Sequence, residues 1–351
     1  MMESATNSSV TDLEGDSFEV IVAKTVICML VLAVSLIENI LVLVVLKKDF
    51  RKRLRTAISY FIANMSTADV LFAVQNLPLA YNHFVMRGHW VFQGNLGTIL
   101  CKIDMFFSLI SMVTSNLTIL AIALARFLAV YSPFKKIVTR KVCFFIIFLT
   151  WFISTVFASP MMYYATLREL TDHRTKCIVL DGEVLKLWYI ILAGILTTTL
   201  ITMLVFYIAI GLKLWRRRAF PGQPIQATKT RREKRNRNIF KMLVTLVVVF
   251  YVCSVPVILL SLSHFFGFYT AFRRKHGLFI AVVMLFMNGV INPIIYYVFN
   301  ESFRDGVKVV LAKCGCCQGA LYALEVPMPV KKEDGVVCGT SRRTTRTSTQ
   351  L

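Results

Sequence analysis

The sequence predicts an all-α membrane protein, a seven-transmembrane helix bundle with a short amphipathic eighth helix at the cytoplasmic face. Of the 351 residues, 56% are hydrophobic and 17% are charged, whereas soluble domains are about 45–50% apolar and about 25% charged. The apolar residues cluster in seven stretches of about 20 residues or more, the length that a helix needs to cross a bilayer. Strongly basic segments follow every second stretch, as expected for loops on one side of a membrane.

These stretches define the organisation of the chain. The start lacks a basic region before a short apolar core, so we expect no cleaved signal peptide and a first helix that serves as the insertion signal. The predicted helices cover residues 20–46, 56–84, 99–131, 142–165, 187–215, 238–268 and 277–299. The predicted parts are an extracellular tail over 1–19, a seven-transmembrane domain over 20–299, a juxtamembrane helix over 300–313 and a cytoplasmic tail over 314–351.

The distribution of charge predicts the orientation. The formal net charge is +21, and basic residues concentrate in 47–55, 134–141, 212–237 and the C-terminal tail, whereas the first 23 residues contain no Lys or Arg. The positive-inside rule then predicts a multi-pass plasma membrane protein with its N-terminus outside and its C-terminus in the cytosol. The basic loops would face anionic lipid and a cytosolic partner rather than nucleic acid. The alternative, for about half of these residues, is that they only set the orientation of the chain in the membrane.

Several residues outside the helices predict covalent modification. Cys101 and Cys177 fall on the outer side, where oxidising conditions favour a disulfide. On the same side, Asn7 begins an Asn-Ser-Ser glycosylation sequon. Juxtamembrane cysteines follow the amphipathic stretch 301–313 and predict palmitoylation rather than a zinc site, since no histidine is nearby: Cys314, Cys316 and Cys317.

The third helix carries a polar stripe that ends in an arginine. Its members step by three or four residues, so they share one helical face. Polar groups facing lipid are costly, and we therefore expect this face to line the interior of the bundle. The members are Asp104, Ser108, Ser111, Ser115, Thr118, Ile122 and Arg126.

Asp69, near the middle of the second helix, is the centre of a second polar group. With Ser115, Asn288 and Asn292 it offers oxygen ligands and one negative charge, which suit a small cation such as sodium. A protonated Asp69 that holds a structural hydrogen-bond network is an equally good interpretation. No other cofactor is predicted.

Two prolines lie inside the predicted helices. Pro256 in the sixth helix and Pro293 in the seventh each remove a backbone hydrogen bond, which favours a kink. Both offer hinges for a movement that opens the cytoplasmic end.

Taken in order, one motif per helix, these residues resemble the rhodopsin-like G-protein-coupled receptors over roughly residues 20–312. The resemblance implies a receptor without enzymatic chemistry, a disulfide between Cys101 and Cys177, and an active state in which Arg126, Tyr207 and Tyr296 meet a heterotrimeric G protein. The matching positions are Asn39, Asp69, Cys101, Arg126, Trp151, Cys177, Tyr207, Pro256 and the run 292–296, "NPIIY".

The chain departs from the family pattern around the arginine. The acid that usually precedes it is Ala125 and the tyrosine that follows is Phe127, while Asn236 stands where many relatives carry a glutamate. Because both acidic restraints on Arg126 are missing, we predict raised basal signalling. The usual tryptophan of the sixth helix is Ser254, and the usual proline of the fifth is Thr199.

The ligand is predicted to be an extracellular peptide, with a small polar molecule as the second choice. Ser108 replaces the aspartate of amine receptors and Phe286 the lysine of opsins, which argues against a biogenic amine and against retinal. The predicted pocket residues lie near the outer ends of the helices: Gln75, Asn76, Tyr81, Asp104, Phe107, Ser108, Met112 and His264.

The tail and the altered motif leave further interpretations open. The hydroxyl-rich run 340–349 predicts phosphorylation and arrestin binding, with a merely disordered tail as the alternative. Thr349 and Leu351 fit a PDZ-domain ligand. The altered arginine motif keeps a non-signalling or arrestin-biased receptor as a second function. A membrane transporter is disfavoured, because the sequence shows no internal repeat.

Overall fold

The computed structural model describes residues 17–48, 56–84, 90–132, 137–169, 175–180, 182–219, 227–265 and 277–313. Seven helices in this part of the chain are long and apolar enough to cross a membrane, which confirms the predicted fold class. They are α1 (Phe18–Lys47), α2 (Ala57–Phe84), α3 (Gly94–Tyr131), α4 (Arg140–Ala158), α5 (Glu183–Ala219), α6 (Ala227–Phe265) and α7 (Gly277–Phe299).

Local sequence explains several helix features. Thr139 caps α4, because its hydroxyl accepts a hydrogen bond from the Val142 amide at 3.4 Å. In α1, Glu19 lies in the first turn and Lys47 in the last, where each complements the helix dipole. Pro256 and Pro293 lie inside α6 and α7 as predicted, and α2 contains a third proline, Pro78, that the sequence analysis did not single out.

A β-hairpin covers one end of α3. One helical turn, Met161–Tyr164, continues α4 and leads into β1 (Ala165–Glu169), which pairs antiparallel with β2 (Thr175–Val179). The predicted disulfide is present and joins Cys101 to Cys177, with Cα atoms 5.6 Å apart. The Trp90 amide donates to the Thr175 carbonyl at 2.7 Å, so the segment before α3 is also tied to the hairpin. We call this the disulfide end of the bundle.

The opposite end, which carries Arg126, contains the largest apolar core. Each of the seven long helices contributes buried residues to this core. Tyr296 is fully buried in it. The amphipathic helix α8 (Glu301–Lys313) packs against it through residues spaced by four and three, so one face is buried and the other is polar. The buried side chains of α8 are Phe303, Val307 and Val310.

The outer surface of α4 shows that the surrounding solvent is lipid. Phe145, Phe148 and Phe152 lie on its outward face with 64%, 66% and 56% of their side chains exposed. Exposure of such large apolar groups in water would oppose folding, whereas in a bilayer it costs little. The fold is therefore that of a multi-pass membrane protein.

Candidate functional site

The polar stripe of α3 faces the interior of the bundle, as its spacing predicts. Asp104, Ser111 and Ser115 are buried, with exposures of 7%, 1% and 3%, and Thr118 is also buried. Ser108 is half-buried among polar neighbours from α2. The stripe therefore runs from the disulfide end past a cavity around Asp69 to the region of Arg126.

Asp69 is held between α3 and α7. The Ser115 hydroxyl donates to one carboxylate oxygen at 3.4 Å, and the Asn292 side-chain amide donates to the other at 3.0 Å. Beside the carboxylate lies a cavity of about 20 Å³, which is room for roughly one water-sized species. Asn288 lines this cavity too, so the structure brings together the four residues of the predicted sodium site.

The cavity has unused acceptors. Four side-chain oxygens at or beside it are buried and have no hydrogen-bond partner among the described residues: Ser111 Oγ, Ser254 Oγ, Asn288 Oδ1 and Asn292 Oδ1. A cluster of oxygens around one carboxylate is the ligand set that a small hard cation prefers. The residues therefore fit a sodium ion, and they equally fit an ordered water that donates to them.

At the disulfide end, four of the residues predicted to line the ligand pocket lie together. The Gln75 amide donates to Ser108 Oγ at 2.9 Å and to the backbone carbonyl of Asp104, and the Asn76 amide donates to Ser108 Oγ at 3.4 Å and to the Phe72 carbonyl at 2.8 Å. These four polar residues of α2 and α3 thus form one network.

The other predicted pocket residues do not join this network within the described part of the chain. Phe107 is half-buried beside Phe106, with ring centroids 5.4 Å apart. Met112 lines the deeper cavity at Asp69 rather than the outer network. The backbone positions of Tyr81 and His264 lie in α2 and α6, but their side chains are outside the described part of the chain.

At the opposite end, the structure places the predicted coupling residues. Tyr207 and Tyr296 are buried, and the Tyr296 hydroxyl lies 3.3 Å from the Met65 sulfur. Arg126 is half-buried on α3. The Tyr296 ring packs against the Phe303 ring of α8, with ring centroids 6.2 Å apart.

The residues that replace the usual arginine motif join α3 to α5. Phe127 stacks on Tyr131 and on Phe206, with centroids 4.4 Å and 4.9 Å apart. The Tyr131 hydroxyl donates to the Ala209 carbonyl at 3.1 Å, and the Lys213 ammonium lies 4.0 Å from the Tyr131 ring centre. Ala125 is buried and adds no charge, and the side chain of Asn236 is outside the described residues.

Sequence analysis missed a buried polar junction between α3, α5 and α6. The Asn116 amide donates to Thr199 Oγ at 3.1 Å, Thr199 Oγ lies 3.0 Å from the Tyr251 hydroxyl, and that hydroxyl donates to Asn116 Oδ1 at 3.3 Å. Tyr251 also reaches the Leu196 carbonyl at 2.9 Å. In the sequence, Thr199 stands out only because it replaces the usual proline of the fifth helix. Its hydrogen-bond partners could not be predicted, because they depend on how three helices pack.

Sequence analysis also missed two charged residues inside α1. Lys24 is 6% exposed and its ammonium lies 5.6 Å from the Phe279 ring centre. Glu38 is half-buried, and one of its oxygens has no partner in the described chain. A charge within an apolar stretch was the available signal, since such residues are rare in transmembrane helices and usually functional.

The modification and tail predictions cannot be placed on the structure. They fall outside the described residues: Asn7, Cys314, Cys316, Cys317, Thr349 and Leu351.

Known proteins are similar to this chain over most of its helical bundle. The family described as "7 transmembrane receptor (rhodopsin family)" matches residues 38–296. The substance-K receptor of Canis lupus familiaris is 29% identical over 279 residues, which cover 75% of this chain and 69% of that protein. The tachykinin-like peptides receptor 99D of Drosophila melanogaster is 30% identical over 281 residues, which cover 75% of this chain and 52% of that protein.

Proposed function

The chain belongs to the rhodopsin family of seven-transmembrane receptors, and we propose that it binds an extracellular peptide and activates a heterotrimeric G protein. The observation that carries this proposal is the inward-facing stripe of α3, which is polar from Asp104 to Thr118 and continues through Ile122 to Arg126. A ligand at one end can thus bias groups at the other. We propose no enzymatic reaction.

A peptide is favoured over a small polar molecule by two observations. The name of the Drosophila relative, tachykinin-like peptides receptor 99D, describes it as a receptor for peptides. In addition, a hairpin is tied to α3 by the Cys101–Cys177 disulfide, at the same end as the Gln75–Asp104 network, and a strand edge can offer an extended chain main-chain partners. A small polar ligand would use the Gln75–Asp104 network alone.

Coupling is proposed to occur at the end that carries Arg126. Positive-inside charge favours placing this end in the cytosol and the disulfide end outside the cell. There Arg126 and Tyr207 would contact a G protein once α5 and α6 move outward. Arrestin and a PDZ-domain protein are proposed as further partners of the tail.

A sodium ion is proposed to bind Asp69, with Ser115, Asn288 and Asn292 as its other protein ligands. When bound it would supply a positive charge that compensates the buried carboxylate. Ser115 and Asn292 already orient that carboxylate by hydrogen bonds, and the alternative of a water-filled or protonated site predicts no selectivity for sodium.

Raised basal activity is proposed because Ala125 puts no carboxylate beside Arg126. We would measure ligand-free G-protein activation in cells that express wild type, Ala125→Asp, Ala125→Asn and Arg126→Ala at matched surface levels. We expect activity in the wild type, a fall of several-fold in Ala125→Asp because the new ion pair stabilises the inactive state, and loss in Arg126→Ala. Ala125→Asn controls for size and polarity without charge and should lower activity less.

The same experiment separates the alternatives. An active wild type that Ala125→Asp leaves unchanged would contradict the proposed cause of basal activity. A silent wild type that recruits arrestin on exposure to peptide extracts would favour the arrestin-biased receptor. A substrate or ion current through the purified protein would favour a transporter.

A further inference from the structure

Among the residues described, Asp104 has a carboxylate oxygen without a partner at the disulfide end of α3. It lies three residues after Cys101, which the disulfide fixes to the hairpin, and it is 7% exposed. Its Oδ2 atom is buried and has no hydrogen-bond partner within the ranges that the structure describes. The neighbouring oxygen Gln75 Oε1 is in the same condition.

The two side-chain amides of α2 beside this residue already donate elsewhere. The amide of Gln75 donates to Ser108 and to the Asp104 backbone, and the amide of Asn76 donates to Ser108 and Phe72. Lys186, a cation of the same end, is paired with Glu183 at 2.7 Å. Lys102 is two residues away on α3 and so points to a different side of the helix. Beside Asp104, Gln75 and Asn76 therefore leave acceptors free, the Gln75 Oε1 atom among them.

A site with spare acceptors and one negative charge selects its ligand. A buried carboxylate without a partner is costly, and a charged donor removes that cost better than a neutral one, because the hydrogen bond is charge-assisted. An anionic group would be repelled. We infer that Asp104, with Gln75 Oε1, binds a guanidinium or ammonium group of the receptor's ligand. This inference rests on the proposed function, since it assumes that the pocket faces a ligand from outside the cell.

The probe for this inference is L-argininamide, with L-citrulline amide as its neutral match. We would measure thermal unfolding of the purified full-length receptor in lipid nanodiscs as a function of probe concentration. A ligand that binds only the folded state raises the midpoint by mass action. We expect a saturable rise of about 2 °C or more with argininamide and none with the citrulline analogue.

Variants locate the effect. Asp104→Asn should abolish the rise, whereas Asp104→Glu keeps the charge and should retain it, which separates loss of binding from loss of folding. Glu183→Gln removes an exposed acid from the same end and should leave the rise unchanged. An equal response to both probes, no response of the wild type, or a full response of Asp104→Asn would each overturn the inference.

The outcome is independent of the signalling test. A midpoint shift that needs Asp104, in a receptor that never activates a G protein, would support the cation site and contradict the proposed coupling. Ligand-free activation that depends on Arg126, without any argininamide shift, would do the reverse.

Discussion

At the scale of single residues, a glycine allows α1 and α7 to approach closely enough to share a hydrogen bond. The Asn39 amide donates to the Gly289 carbonyl and to the Ser35 carbonyl, both at 2.9 Å. A Cβ atom at position 289 would collide with the Ser35 hydroxyl. Glycine is needed here because of the neighbouring helix, and its small size keeps a buried amide satisfied.

We therefore predict that Gly289→Ala destabilises the receptor. The added methyl group forces the helices apart and weakens the Asn39 bond, and we expect a loss of about 1–3 kcal/mol in the free energy of unfolding. Ser35→Ala removes the colliding oxygen and should recover most of this loss in the double variant. Gly194→Ala meets no atom within 4 Å and serves as the control. Denaturant unfolding in detergent micelles measures the wild type, the three single variants and the double variant, and additive effects of Gly289→Ala and Ser35→Ala would contradict the prediction.

At the scale of helices, the junction of Asn116, Thr199 and Tyr251 joins three elements through side chains alone. Asn116 is 1% exposed and Thr199 8%, so their polar atoms have little access to other partners. Within a membrane, interhelical hydrogen bonds contribute modestly because the unfolded helices also find partners. Their value lies in fixing how α3, α5 and α6 sit against one another.

We predict that the junction is a coupled unit. Thr199→Val and Tyr251→Phe each remove one hydroxyl at similar volume and should each destabilise the folded state by about 0.5–1.5 kcal/mol. Because the two hydroxyls contact each other at 3.0 Å, the double variant should lose less than the sum, with a coupling energy of about 0.5 kcal/mol or more. Unfolding of the wild type, the single variants and the double variant gives this energy, and a coupling energy of zero would show that the contact contributes nothing.

The same scale shows what the sequence could predict. Apolar stretches located all seven helices because lipid selects for them, and the spacing of the α3 stripe predicted which face is buried. Boundaries differed where helices leave the lipid. The sixth helix begins at Ala227, not 238, because the charged run 229–237 is polar yet made of good helix formers. The hairpin at 165–179 has no apolar run and was not predicted.

The candidate site also contains residues that the sequence could predict and contacts that it could not. Asp69 and Asp104 were found because an acid in an apolar stretch stands out in the sequence. The partners of Thr199 were not, since they belong to α3 and α6 and are chosen by tertiary packing. The empty acceptor positions of Asp104 likewise appear only when the amides of α2 are seen to donate elsewhere.

At the scale of the whole molecule, the Asp69 cavity lies between four helices of the bundle. Residues of α2, α3, α6 and α7 line it, including Phe250 and Ser254 of α6. Pro256, the predicted hinge, lies two residues after Ser254 on the same helix. An outward movement of α6 would therefore change the shape of the cavity, and a cation held there would bind the two states unequally.

We predict that sodium lowers ligand-free activity. A ligand shifts a two-state equilibrium by its differential affinity, and binding at Asp69 favours the closed arrangement of α6. In vesicles that contain receptor and G protein, activation should be several-fold lower in sodium chloride than in potassium chloride at equal ionic strength, which controls for screening. Asp69→Asn should respond equally to both salts. Equal activity of the wild type in both salts would leave hydrogen bonding as the role of this carboxylate.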